Sequence, residues 1–388
     1  MLTRRDILAA TAASLLPGTV ARAAGPARVI TNSIALEDGR VWIAASVQGK
    51  GPFLFILDTG VVVSLIQEKV AKDLGLKASA PVKLKGIGGD ELFQLYVAHD
   101  IVFSGGARQP TAVFAAAERH LALGAGAAGA LAAGMVTALD ADLDFEKGEL
   151  RIYPDGRGDR AGFAELPSSI VQMSGPAASA YMFVDAVLDG GRYRFLLDTG
   201  MPGQVLLWPG AVRRSGLWSD KIRFAPRRSS GIGGDAQRGR LVRGAALTIG
   251  DIAFDRPLVA LSNPSGPSRI ASWADGIIGL ELIELLTLST DVRRGRLWAR
   301  RNARAPGPER YGLSGLWVEE RGGKVVVEEV SPHSPAAEAG LRVGDEIVGV
   351  PMRAFIGRLG GKPGESIPVT VRRGAETIST AIVLRDFL

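Results

Sequence analysis

The chain has no cysteine among its 388 residues. That excludes disulfides, thiol nucleophiles, thiolate metal sites and a lipidated amino-terminal cysteine. Histidine is almost as scarce. His99, His120 and His333 are scattered, which argues against a histidine-built metal centre, and no metal or other cofactor is expected. Beyond the amino-terminal segment, no apolar run reaches the ~20 residues needed to span a bilayer. No Gly-x-Ser-x-Gly elbow and no Walker loop occurs. The formal charge of +6 is spread out and not gathered in blocks, so it favours solubility over a nucleic-acid partner. What is present is apolar material, 46% of the residues against 22% charged. The length suits two or three domains of ~100–200 residues each.

The first segment reads as a targeting signal. Thr3-Arg4-Arg5-Asp6-Ile7-Leu8 precedes an apolar run to Leu16, and Ala21-Arg22-Ala23 offers small residues at the positions a signal peptidase reads. The paired arginines resemble a twin-arginine export signal, so residues 1–23 are expected to be removed and the protein exported, to a bacterial periplasm or beyond.

The centre of the pattern is Phe53-Leu54-Phe55-Ile56-Leu57-Asp58-Thr59-Gly60. An apolar strand ends on a carboxylate, a hydroxyl and a glycine. It returns as Tyr193-Arg194-Phe195-Leu196-Leu197-Asp198-Thr199-Gly200. A strand this apolar belongs in a core, where an unpaired Asp is costly. The surroundings repeat as well. Gly86-Ile87-Gly88-Gly89-Asp90, the tip of a hairpin, is answered by Gly231-Ile232-Gly233-Gly234-Asp235, and Asp144 with Gly148 by Asp291 with Gly295. The offset grows slowly along the chain, as small loop insertions would make it, which marks an internal duplication. Asp140, Asp142 and Asp144 read as turn and surface residues, not calcium ligands, because no Glu closes a 12-residue loop. Composition divides the chain into a first lobe at 24–155, a linker at 156–180, a second lobe at 181–302, a linker at 303–309 and a smaller domain at 310–388.

Two carboxylates a few ångströms apart cannot both ionise cheaply, so they share a proton. One can then take a proton from water while the other protonates a carbonyl oxygen. Such chemistry needs no thiol, metal or histidine. Glycine permits the tight turn beneath each carboxylate, and the Thr hydroxyls can cross-bond between lobes.

These residues resemble the retropepsin-like and pepsin-like aspartic proteases. Gly276-Ile277-Ile278-Gly279-Leu280 resembles the family's downstream apolar-apolar-Gly motif. In the first half, Gly129-Ala130-Leu131-Ala132 lacks the last glycine unless Gly134 takes its place. The resemblance implies a mainly β fold, with two duplicated acid-protease barrel lobes forming one bilobal unit in a single, monomeric chain acting on a peptide or protein. Asp58 and Asp198 would be the catalytic pair and Thr59, Gly60, Thr199 and Gly200 their supports. Gly86, Ile87, Gly88, Gly89, Gly231, Ile232, Gly233 and Gly234 would form two flaps. A rival reading keeps the scaffold as a peptide binder without hydrolysis.

The last domain, with Gly312-Leu313-Ser314-Gly315-Leu316 and Val330-Ser331-Pro332-His333-Ser334-Pro335, resembles a small α+β PDZ domain. That implies an extended peptide, often a chain's free carboxy terminus, bound as an added strand. Leu313, Ser314, Gly315 and Leu316 would form the carboxylate-binding loop. The chain between Val350 and Pro363 is short, so the second helix of the groove is expected to be reduced.

Overall fold

The structure is a computed structural model that describes residues 28–86, 89–117, 123, 126–175, 178–231, 234–266 and 273–388. The signal segment 1–23 and the flap tips Ile87, Gly88, Ile232 and Gly233 lie outside the described residues. No helix among the described residues is long and apolar enough to cross a membrane.

Among the described residues the fold is mainly β, in sheets of thirteen, ten and five strands. The two larger sheets build the lobes. In the first lobe the strand Lys50–Leu57 runs parallel to Gly129–Leu131 and antiparallel to Arg40–Val47. In the second, Gly191–Asp198 runs parallel to Gly276–Gly279 and antiparallel to Ala180–Leu188. Both strands end in continuous apolar runs because both of their faces are covered. Phe55, Ile56 and Leu57 are buried, as are Phe195, Leu196 and Leu197.

The lobes are joined beneath these strands. Asp140–Asp144 of the first half pairs antiparallel with Leu286–Asp291 of the second, making one sheet across the molecule. Asp142 and Asp144 are therefore buried, which corrects the expectation that they are surface residues. Their charges are met by arginines on the same sheet and the following loop: Arg151 to Asp144 at 2.9 Å and Arg157 to Asp142 at 3.1 Å. Breaking such a pair strands a charge in the core, so these bonds are kept by necessity more than by net gain. The segment expected to be a linker is woven into the sheets. Ala164–Glu165 pairs with Arg296–Arg301, and Ser168–Gln172 with Ala180–Leu188. The alternation of Ser168-Ser169-Ile170-Val171-Gln172 is short and weakly apolar, so composition alone hides it.

The carboxy-terminal domain has its own core, with Val327, Ala336, Phe355, Val371 and Ile382 fully buried. Its sheet begins at Leu316–Arg321, whose only sheet partner is Lys324–Val330, so its outer edge is unpaired among the described residues. The second helix, expected to be reduced, is present as two turns at Met352–Leu359, anchored by Phe355 and begun at Pro351. The domain docks on the second lobe. Glu329 meets Arg238 at 2.9 Å and Arg240 at 3.2 Å, and the Phe224 amide donates to Ser331 Oγ at 3.0 Å.

Candidate active site

Asp58 and Asp198 sit at the ends of the two central strands, at the base of the seam between lobes. What brings them together is a crossed set of hydrogen bonds. The Thr59 hydroxyl donates to the Leu197 carbonyl at 2.8 Å and accepts from the Thr199 amide at 3.0 Å. The Thr199 hydroxyl donates to the Leu57 carbonyl at 2.7 Å and accepts from the Thr59 amide at 3.1 Å. Both threonines are buried. A buried hydroxyl needs its partners, and here each one's partners belong to the other lobe.

The glycines fit the same symmetry. A Cβ on Gly60 would stand 2.3 Å from the Asp198 carboxyl carbon, and one on Gly200 would stand 2.4 Å from that of Asp58. Each carboxyl group thus lies against the opposite lobe's glycine. Each is also held by its own loop: Gly60 N–H donates to Asp58 at 2.9 Å, and Gly200 N–H to Asp198 at 2.7 Å. The two carboxyl groups are within hydrogen-bonding reach of each other.

The pair is symmetric in backbone but not in charge. Burial raises the Asp58 pKa, while the Gly60 amide, the Asp198 carboxyl and the Arg40 guanidinium pull it back. Burial raises Asp198 well above the usual carboxylate range, and the charge of Asp58 pushes it further. Both carboxyl groups are thus biased toward holding a proton, Asp198 the more strongly because no cation opposes it there. Sequence reasoning missed the two residues responsible for the neighbouring contacts. Arg40 donates to the Gly200 carbonyl. Tyr181 donates to the Gly60 carbonyl at 3.1 Å. They occupy matching places: Trp42 lies opposite Ile56, and Phe183 lies opposite Leu196. One place holds a cation and the other a neutral phenol, whose own pKa is raised by burial and then by both carboxylates. Tyr181 also stacks on Trp273 at 5.4 Å, placing an aromatic wall beside the pair.

The downstream motif resolves as well. Gly276 lies opposite Phe195 and Gly129 opposite Phe55, so Ala132, not Gly134, stands where Gly279 does. A Cβ on Gly279 would meet the Gly203 carbonyl at 2.3 Å, whereas the first lobe accommodates alanine. Of the flap residues, Gly86 pairs with Gly89 and Gly231 with Gly234 at the hairpin ends. In the carboxy-terminal domain, Leu313, Ser314 and Gly315 form a loop leading into the strand that starts at Leu316. Its carbonyls at Ser314 and Gly315 accept from Ala336 and Ser331. Gly315 takes φ +68°, and a Cβ there would collide with Ser334.

A bilobal β fold with two aspartates apposed by crossed threonines defines an acid-protease architecture. Residues 43–131 and 184–282 each match the aspartyl protease family, and residues 326–350 match the PDZ domain. The chain belongs to the aspartyl protease family and carries a PDZ domain. Among solved structures it is similar to the basic 7S globulin of soybean, at 10% identity and a TM-score of 0.42, over 71% of this chain and 95% of that one. It is similar also to conglutin gamma, a basic 7S globulin of lupine seeds, at 9% identity and a TM-score of 0.42, over 71% of this chain and 96% of that one. No curated protein matches the chain.

Proposed function

We propose that this protein is an aspartic endopeptidase in which both lobes of a single chain serve one active site. The observation that carries the reading is the reciprocal seating of each carboxyl group against the other lobe's glycine. Asp58, the member with the nearby guanidinium, is the base. It takes a proton from a water molecule held between the carboxyl groups as that water attacks a peptide carbonyl. Asp198 gives its proton to the carbonyl oxygen, and a tetrahedral diol forms. Proton return to the amide nitrogen then breaks the C–N bond. The glycine hairpins would close over an extended substrate, and the PDZ domain would bind peptide. The signal reading of residues 1–23 makes this an exported enzyme, which cell fractionation tests.

Replacing Asp58 or Asp198 by Asn tests the mechanism. Each variant is expected to lose about 10²–10⁴-fold in kcat on a peptide library at acidic pH, since each removes one partner of an acid–base pair. Hydrolysis undiminished in either variant would refute the assignment. Peptide binding without any hydrolysis by the wild type would favour a scaffold without chemistry.

A further inference from the structure

The peptide groove of the PDZ domain is not closed by that domain alone. A cleft of about 560 Å³ runs between the Leu316–Arg321 strand and the Met352–Leu359 helix on one side and the second lobe on the other. The PDZ side offers an apolar surface from Leu316, Val318, Ile356 and Leu359. Ile356 is 47% exposed, an uncovered apolar side chain at the groove's rim. The lobe side brings Arg227 and Arg228 from the strand Ala225–Gly231, and Pro202 to Gln204 from the loop that follows Asp198.

The polar groups of this cleft are unequally committed. Arg228 is bonded to Glu319 at 2.8 Å and lies 4.3 Å over the Trp317 ring, so it serves the docking of the two domains. The Arg227 carbonyl accepts from the Arg228 guanidinium at 3.2 Å and its backbone lies opposite Gly239, but its own guanidinium makes no hydrogen bond or ion pair to a described residue. Burial pushes its pKa down with no anion to offset it. On the PDZ side, the amides of Gly312, Leu313, Ser314 and Gly315 donate to no partner among the described residues. Glu281 also lines the cleft, but its carboxyl is held by Gln204. A desolvated guanidinium and a run of free amides around one apolar groove call for a carboxylate on an apolar stem.

Resting on the PDZ reading above, we infer that this cleft is a composite site for the carboxy-terminal end of a polypeptide. The PDZ loop supplies amides, and Arg227 of the second lobe supplies the cation. The ligand thereby clamps the PDZ domain to the lobe, beside the loop that carries Asp198.

The test uses the full chain and two heptapeptide pools of random interior with Val last, one a free acid and one amidated, read by fluorescence polarisation. The wild type is expected to bind the acid at least about tenfold more tightly than the amide. Arg227→Gln should lose most of that preference and Arg227→Lys should keep part of it, both at an unchanged Tm without peptide. An undiminished preference in both variants would remove the second lobe from the site while leaving the PDZ reading intact. Equal binding of acid and amide by the wild type, or none, would overturn a carboxylate ligand altogether. The readout is binding, so an inactive Asp58–Asp198 pair would not disturb it.

Discussion

The two lobes agree wherever the backbone touches the carboxyl pair and differ one residue further out. Thr59 and Thr199 make the same crossed bonds within 0.1 Å, at 2.8 and 2.7 Å to the facing carbonyls. Gly60 and Gly200 leave the same gap for the opposing carboxyl. Yet the side chain that reaches across to the partner glycine is Arg40 from one lobe and Tyr181 from the other. The downstream motif likewise holds Ala132 in one and Gly279 in the other. The comparison teaches that positioning two acids requires twofold symmetry, whereas giving them different tasks requires its breaking. A charge placed on one side only does this without moving either strand.

The largest expected effect attacks the shared part. Gly60→Ala and Gly200→Ala each drive a methyl into the other lobe's carboxyl group, at 2.3 and 2.4 Å. Misplacement of the acids by about 1 Å is expected to cost roughly 10²-fold in kcat. If the symmetry is real, the two variants fall together; steady-state rates on one peptide substrate measure this. A large loss for one and none for the other would break the equivalence. A smaller effect sharpens the difference downstream. Gly279→Ala would press on the Gly203 and Met201 backbone and is expected to cost about 1–3 kcal/mol. Its counterpart Ala132→Gly should cost only about 0.5–1 kcal/mol, through lost backbone restraint. Urea unfolding of both variants compares them.

Much of this was legible in the sequence, for a physical reason. An Asp at the end of an apolar strand, met twice in a repeated setting, has few structural explanations besides apposition. Asp58, Thr59 and Gly60 could therefore be paired with their counterparts by eye. Arg40 and Tyr181 could not. A constant offset of 140 sets Tyr181 against Val41, but a β-bulge between Ala45 and Val47 shifts the first hairpin's register by one and sets Arg40 there instead. The available signal was Pro52 inside a strand, which marks a bulge or an edge. Asp142 and Asp144 were misread because their burial depends on arginines seven or more residues away and on a sheet shared between halves. The helix Met352–Leu359 is hard to see in the sequence because only Phe355 is fully buried, with Met352 and Leu359 packing at its margins.

The last and smallest effect isolates the broken symmetry. Burial above all raises Asp58, and Arg40 is the one cation that opposes it. Removing that charge in Arg40→Met raises Asp58 further. In the mechanism proposed above Asp58 is ionised when it accepts a proton from water, so the acidic limb of kcat/KM should move to higher pH. Tyr181→Phe removes the matching hydrogen bond but no charge, so its limb should stay in place. Stability gives the same sign without relying on turnover. A carboxyl whose folded pKa lies above its unfolded value stabilises the fold fully below the unfolded pKa, ~4, and loses that contribution as pH rises through the folded value. Arg40→Met should therefore lose more stability than the wild type between acid and neutral pH, and Tyr181→Phe should not. Parallel shifts in the two variants, in either measurement, would mean that the contact to the glycine carbonyl matters and the charge does not.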